Sequence, residues 1–388
     1  EELAAAAFVN NVFNLAIIFA TGFSYGLTPL IGMLQGGGNT QGIGRVFRNA
    51  LAANASVAVL LTAVMYTVYC FVDKLGQPEE LLPHIRPYFV LQLISLLFIM
   101  LFNGFRQFAE GLTDTRTPMW ILLGGNALNI FGNYLLIYGS FGFPEWGLFG
   151  AGVSTLVSRI VMLLVFIGVV AVARRYKVYR EAILRSRFNR NDFIQLNALG
   201  WPIALQMGME TAAFSLSAIM VGWLGSIPLA AHQIMISVST IGFMVYYGMG
   251  AALAVRVSHF MGQKDFPNLR RAVNSGMGII LSLAIVASLF FYLARTPIIY
   301  SFTEDHEVMI VVSSLIFSLI VYQFGDALQI TFANALRGTT DVKPMMWIAF
   351  FSYFIVALPV GYLCGFTWGG GVVGVWVAFP AGLFTAGF

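Results

Sequence analysis

Charge is what this chain has least of. Only 10% of its 388 residues are Asp, Glu, Lys or Arg, against roughly 25% in a soluble domain, whose surface must face water. So sparse a supply cannot cover a protein of this size, which excludes a soluble enzyme and a soluble nucleic-acid binder. Cysteine is nearly absent. Cys70 and Cys364 each sit in an apolar run and read as packing residues, so neither a disulfide framework nor a Cys-x-x-Cys metal site is expected. The four histidines, His84, His232, His259 and His306, form no His-Glu-x-x-His pair, which removes the zinc-peptidase reading. A nucleophile with its base, a metal set and a paired-acid motif are all missing, so no enzyme activity is expected. The formal charge of +4 is spread over short connections instead of one basic patch, so no nucleic-acid partner is expected either.

Hydrophobic residues make up 59% of the chain and fall in long continuous runs. Crossing the hydrocarbon takes about 20 apolar residues, and continuous runs select helices over a closed barrel. Eleven spans are predicted: Leu3 to Leu34, Val46 to Val72, Pro87 to Glu110, Met119 to Gly139, Leu148 to Ala173, Leu199 to Leu224, Leu229 to Met261, Leu269 to Tyr300, Val308 to Leu336, Met345 to Cys364 and Val372 onward. Alternating these spans collects 17 of the 21 Lys and Arg residues on one side, leaving Lys74, Arg86 and Arg295 on the other and Arg159 within a span. Positive loops stay in the cytoplasm, so the bias supports the span count and puts Glu1 outside. The expectation is an all-α polytopic protein of the cytoplasmic (inner) membrane, with the lipid bilayer as its surroundings. No cleavable signal pattern opens the chain, which begins on Glu1-Glu2 as if mid-protein.

The chain also repeats itself. Leu3-Ala4-Ala5 matches Leu229-Ala230-Ala231, Gly22 matches Gly248, Gly36 matches Gly262 and Arg45 matches Arg271, always 226 positions apart. Farther on, Gly111-Leu-Thr-Asp114 before Pro118-Met119 echoes Gly338-Thr-Thr-Asp341 before Pro344-Met345 with a one-residue slip. The second copy has a span ahead of Leu229 whose counterpart would precede residue 1. The intact protein is therefore expected to hold twelve transmembrane helices in two parallel six-helix repeats, with the first helix missing from this chain and the last cut short. Residues 1–173 form an N-terminal lobe (helices 2–6), 174–192 a cytoplasmic basic linker, and 193–388 a C-terminal lobe (helices 7–12). Parallel repeats in a membrane imply alternating access by rocking lobes.

Ionisable residues at membrane depth cost about 2.5–3.5 kcal/mol on insertion scales and so mark functional candidates. Glu210, Asp326 and Arg159 qualify. Tyr322 and Asp326 are i and i+4, so a phenol and a carboxylate share one helical face and can converge on one cation or share a proton. Sodium would use Glu210, Asp326 and Tyr322 as oxygen ligands, and a proton would use the same acids as a relay; the residues leave both open. Arg159 reads as snorkelling or paired within the protein. The first lobe offers amides and hydroxyls instead: Asn10, Asn11, Asn14, Asn103, Asn126, Asn129, Asn133, Ser154 and Thr155. Such groups bind a ligand's polar atoms or hold helices together. Methionines cluster early in the second lobe, among them Met207, Met209 and Met220, as promiscuous apolar sites and ordinary packing both allow. Pro29, Pro202 and Pro359 interrupt spans and should permit bending.

Taken together, Gly111-Leu-Thr-Asp-Thr-Arg116-Thr-Pro118, Ala230-Ala-His-Gln-Ile234, Tyr322 through Asp326, and Ala335-Leu-Arg337-Gly338 with Asp341 resemble the multidrug and toxic compound extrusion (MATE) transporters over essentially the whole chain. That family exports cationic, often aromatic drugs in exchange for sodium ions or protons, from a V-shaped cavity between two lobes. By this resemblance Glu210, Tyr322 and Asp326 match the second-lobe cation site of the NorM-like branch. Other branches place a first-lobe site on an Asp of the first helix with polar residues resembling Asn103, Asn129, Asn133 and Thr155, and Asn133 stands where they carry an acid. The substrate cavity is expected to draw on Gln206, Met207, Gln329, Asn334, Asn103, Asn129, Asn133 and Thr155. The implied activity is secondary antiport by a monomer, with no cofactor beyond the coupling sodium ion or proton and small cationic drugs as partners. A lipid-linked precursor flippase of the same superfamily is the alternative, although its cargo favours several basic residues and only Arg159 is available.

Overall fold

The computed structural model describes residues 2–74, 78–142 and 144–387. Its α-helices are α1 (Glu2–Ser24), α2 (Leu27–Gly36), α3 (Thr40–Cys70), α4 (Leu82–Gly111), α5 (Arg116–Ile137), α6 (Gly147–Val172), α7 (Lys177–Arg185), α8 (Arg190–Gly222), α9 (Ser226–Gln263), α10 (Phe266–Leu293), α11 (Arg295–Phe302), α12 (His306–Gly338), α13 (Lys343–Phe350), α14 (Leu358–Tyr362), α15 (Gly371–Trp376) and α16 (Ala378–Gly387). Among the described residues there is no strand. Among these residues ten helical segments are long and apolar enough to cross a membrane, and Gly371–Gly387 adds a shorter apolar one. Ile130, Leu164, Val286 and Phe317 lie exposed on helix surfaces. Such a surface suits acyl chains better than water, and it explains how the chain folds with so little charge.

Three prolines show how the sequence cuts these helices. Proline has no N–H for the carbonyl four residues back. Pro29 therefore offers no N–H to the carbonyl four residues back, and the predicted span Leu3 to Leu34 divides into α1 and α2 at that point. Pro297 likewise offers none to the Leu293 carbonyl, and the predicted span Leu269 to Tyr300 becomes α10 followed by the short α11. Before Pro359 the backbone widens into a π-helical stretch over Phe351–Ala357. Pro202, by contrast, stays inside a continuous α8. That helix also starts well before the predicted Leu199, because the Asn189 side chain accepts the backbone N–H groups of Asn191 (2.9 Å) and Asp192 (3.2 Å) as an N-cap.

The duplication is visible in backbone geometry. Asn39 caps α3 with φ −89° and ψ 76°, and Asp265, 226 positions on, caps α10 with φ −91° and ψ 75°. The residues just before them, Gly38 and Lys264, are both left-handed, at φ 70° and 58°. Thr113 and Thr340 likewise share left-handed φ values of 62° and 66°, across the one-residue slip. Two loops of unlike sequence thus fold to the same shape.

The chain divides into two compact units, Glu1–Ala204 and Leu205–Phe388, with the boundary inside α8. In the first unit Phe13, Phe89, Tyr88, Ile85 and Leu93 pack α1 against α4. The second unit is cored by residues of α9, α12, α15 and α16, including Leu319, Tyr322, Trp376 and Phe379.

The basic segment after α6 folds onto the first unit as a 3-10 turn, Arg174–Tyr176, and α7. Gly44 of α3 makes the approach possible: a Cβ there would lie 2.5 Å from the Ala182 carbonyl carbon and 2.6 Å from the Ile183 nitrogen. Gly44→Val is expected to unseat α7 at roughly 1–3 kcal/mol, and a thermal melt in detergent should fall by several degrees. An unchanged melt would show that the contact contributes nothing.

Asp114, last residue of the repeated Gly111-Leu-Thr-Asp motif, anchors the same segment. It accepts the Thr117 backbone N–H at 3.2 Å and the Thr117 hydroxyl at 2.7 Å, faces Arg175 at 3.0 Å, and accepts the Tyr176 hydroxyl. Burial alone would raise this carboxyl, but the bonds from Tyr176 and Thr117 and the Arg175 charge outweigh it and hold the group below its ordinary value. A carboxyl depressed in the folded state stabilises fully above its unfolded value, about 3.9, and that contribution is lost as pH falls through the folded value. Hydrogen exchange should therefore find α7 equally protected from about pH 5 to 8 and loosened below about pH 4. Asp114→Asn should loosen it at neutral pH as well; protection identical to wild type would refute the anchor.

Candidate functional site

The second unit gathers the acids. On α8, Gln206 and Glu210 are one turn apart, and the Gln206 Nε2 donates to Glu210 Oε2 at 2.8 Å. Gln329, on α12, reaches the same oxygen with its Nε2 at 3.5 Å, so one carboxylate ties two helices together. Tyr322 and Asp326 lie on α12 one turn apart, as expected from their spacing, and are 4% and 1% exposed. Glu210 keeps partial exposure. The Asp326 and Glu210 carboxyls interact electrostatically with each other, and the phenols of Tyr322 and Tyr353 feel both.

One atom in this cluster stands out. Asp326 Oδ2 is buried and has no hydrogen-bond partner among the described residues. Buried polar atoms are nearly always paired, and a carboxylate oxygen is among the costliest to leave bare. The hydroxyl of Tyr246 is likewise buried without a hydrogen-bond partner among the described residues. Two neighbouring carboxylates repel, so the arrangement relaxes when a proton or a cation joins them. The chemistry on offer is reversible capture of one positive charge by two acids and adjacent phenols.

Several members of the cluster carry no local signal in the sequence. Tyr353 lies in the π-helical stretch of a run with no polar periodicity, so only the fold brings it to the acids. Tyr246 of α9 interacts with Asp326. Gln323 of α12 packs on Gly242, where a Cβ would sit 2.5 Å from its Oε1. Phe214 stacks on Phe379 at 5.0 Å, and Tyr322 meets Phe379 edge-on at 6.3 Å, which gives the acids an aromatic wall. His232, from the Ala230-Ala-His-Gln-Ile234 motif, is 1% exposed and stacks on Phe379 at 6.1 Å. Arg337, counted from sequence among the loop charges, is 6% exposed in the last turn of α12 and interacts with Glu210.

The other predicted residues separate into four groups. Met207 is half-buried on α8 beside Gln206. Asn334 turns towards α9: its Nδ2 donates to the Ile330 carbonyl at 2.9 Å and its Oδ1 accepts from Arg337 at 3.3 Å, while Gly250 leaves room for it. In the first unit Asn129 donates to Ser154 Oγ at 3.4 Å and to Thr155 Oγ1 at 3.2 Å, and Asn133 donates to Asn129 Oδ1 at 3.4 Å. This network joins α5 to α6. Asn103 is held apart from it, donating to Thr21 Oγ1 at 3.5 Å between α4 and α1.

The chain is similar to known proteins along nearly its whole length. A sequence model of the MatE family matches residues 1–135 and 202–363. The chain is 30% identical over 391 residues to the multidrug resistance protein NorM of Photobacterium profundum, covering 98% of this chain and 82% of that protein. It is 33% identical over 378 residues to the multidrug resistance protein PmpM of Pseudomonas aeruginosa, covering 95% and 77%. Among solved structures, an outward-facing multidrug resistance MATE family transporter superposes with a TM-score of 0.88 at 20% identity over 99% of this chain and 85% of that one. The eukaryotic MATE transporter AtDTX14 superposes at 0.86 with 17% identity, covering 99% and 85%. A multi-pass, all-helical chain with a duplicated backbone, matched along nearly its whole length by these relatives, belongs to the MATE family of multidrug efflux transporters, in its NorM-like branch.

Proposed function

We propose that this protein is a secondary antiporter of the cytoplasmic membrane that exchanges sodium ions or protons for cationic, aromatic drugs by alternating access of two lobes, 1–173 and 193–388, joined by the segment 174–192. The observation that carries the reading is the Glu210–Asp326 pair with its bare Oδ2 at membrane depth. Loading a cation there relieves the repulsion between the acids. It also competes with a drug's positive charge for the same carboxylates, so uptake of the ion favours release of the drug. Each charge carried through the full field gains about 2.3 kcal/mol per 100 mV, enough to drive concentrative export. Tyr322 and Tyr353 supply further oxygen ligands for sodium, or hydrogen-bond partners for a protonated acid. Gln206, Gln329 and the Phe214–Phe379 wall would contact the drug.

The test reconstitutes the protein in proteoliposomes and follows ethidium after an imposed sodium gradient and, separately, a pH gradient. Wild type is expected to move ethidium uphill with at least one of them. Transport indifferent to both gradients would reject antiport and favour the flippase alternative.

A further inference from the structure

Each repeat carries a groove at the same place, and only one of the two is filled. In the first unit it lies among Phe23 of α1, Leu27 of α2 and Ala50 and Ala53 of α3, and Leu196 of α8 closes it to about 10 Å³. The seat is tight and charged. The Trp201 ring meets Phe23 edge-on at 5.6 Å, a Cβ on Gly26 would lie 3.0 Å from the Gly200 nitrogen, and Asp192 Oδ2 accepts from Arg45 Nε at 2.6 Å. Asp192, Leu196 and Gly200 are spaced i, i+4 and i+8, so one stripe of α8 supplies the acid, the apolar plug and the close approach.

The counterpart in the second unit is open. Phe23, Leu27, Ala50 and Ala53 become Met249, Leu253, Gly276 and Ile279, each 226 positions on, and these line a cleft of about 350 Å³ between α9 and α10. Gly26 becomes Ala252, small and exposed at the rim. Arg45 becomes Arg271, which is exposed beside the cleft and forms no ion pair among the described residues, and Arg256 adds a second cation to the lining. An apolar cleft edged by free arginines asks for an occupant with an apolar body and an acid. Anionic lipid headgroups bind such clefts on the cytoplasmic side, but the first unit shows what this fold puts in the same place: a helix bearing a carboxylate.

We propose that the cleft between α9 and α10 seats a helix of this same chain that precedes residue 1, the repeat counterpart of α8, held by an acid of that helix paired with Arg271. The duplication supplies the reasoning: α8 leads into α9 while its first half fills the groove beside α2 and α3, so the helix leading into α1 fills the groove beside α9 and α10. The relatives leave chain for it, since this chain covers only 82% of the NorM of Photobacterium profundum. The occupant is specified by its template. It carries an acid in its first turn, as α8 carries Asp192, a large aliphatic residue four positions later to fill the cleft, and a small residue four beyond that to pass Ala252. None of this depends on which ion or drug is carried.

The test uses the intact protein in the membranes that express it, with a photoreactive diazirine amino acid placed at Ser275 in the cleft or at Ala252 on its rim, so that one label reports if the other hinders seating. Irradiation, digestion and mass spectrometry identify what each label has joined. The expected product has the mass of a monomer and links the label to a peptide N-terminal to Glu1 that shows the acid, aliphatic and small residues at the stated spacing. Arg271→Glu should lower the yield about threefold, within the range of one half-exposed ion pair, Arg271→Lys should keep most of it, and reversing the acid to Lys in the Arg271→Glu background should restore it. Adducts at both positions to phospholipid, to a second copy or to another protein, or no adduct at either, overturn the seat, and a yield unchanged by Arg271→Glu overturns the ion pair. If Arg271→Glu does not fold, replacing the acid by its amide tests the pair in its place. Transport is not read, so the outcome stands apart from the antiport test above.

Discussion

Asp326→Asn should abolish gradient-driven efflux, lowering the initial rate of ethidium export from proteoliposomes by well over about tenfold under either a sodium or a proton gradient. The argument begins with volume. Asparagine fills the same space one turn from Tyr322, so the packing around a 1% exposed side chain is kept. What disappears is the second charge state. An amide neither takes up a proton in this range nor balances a sodium ion, so the site no longer alternates between loaded and empty, and the ion gradient has nothing to act on. The substitution also removes repulsion between residue 326 and Glu210. Taking an unpaired charge out of a buried site is commonly neutral or stabilising, so thermal stability in detergent should hold or rise while transport collapses. Unimpaired export in this variant would defeat the coupling role, and a protein that simply unfolds would show itself in the melt.

Much of the fold was legible because the bilayer imposes one rule, internal satisfaction of every backbone group, and the apolar runs and the lysine and arginine bias report it directly. Among the described residues ten of the eleven expected spans appear where hydropathy puts them and the last is a shorter apolar segment, while the repeat at an offset of 226 positions reappears in the matching caps at Asn39 and Asp265. Less legible were helix ends near proline. Pro29 reads as a bend within a single span and instead divides it, and Pro297, which the apolar run does not single out, divides another, because hydropathy does not register one missing N–H. The start of α8 was hidden for another reason: Arg190 and Asp192 look like linker, yet a helix continues past the hydrocarbon once Asn189 caps it.

For the candidate site, spacing was informative within a helix and silent between helices. Tyr322 and Asp326 follow from i and i+4, as do Asn129 and Asn133. That Tyr353 and Tyr246 join them depends on where α9 and the π-helical stretch pass α12, which no local pattern encodes. Arg159 shows the same limit from the other side. Sequence left it between snorkelling and pairing, and only the position of Gln92 and Ser95 on α4 decides for pairing.

Glu210→Gln should be nearly as damaging as Asp326→Asn, and combining the two should cost little more than either alone. Glu210 accepts from Gln206 at 2.8 Å and from Gln329 at 3.5 Å. A glutamine carbonyl can still take those bonds, so the tie between α8 and α12 survives and the protein should fold. The carboxylate is lost, and with it one half of a pair that captures a single positive charge. Residues that act as one unit are strongly non-additive: once either acid is gone, the survivor holds a cation without the neighbour whose repulsion made loading and release reversible. The measurement is a double-mutant cycle on initial ethidium efflux under the gradient that drives wild type, with both singles expected at least about tenfold down and the double near the lower single. Losses that multiply would mean two acids acting independently, each with its own ion. Efflux that survives Glu210→Gln but not Asp326→Asn would assign coupling to Asp326 with its phenols and leave Glu210 as the link between α8 and α12.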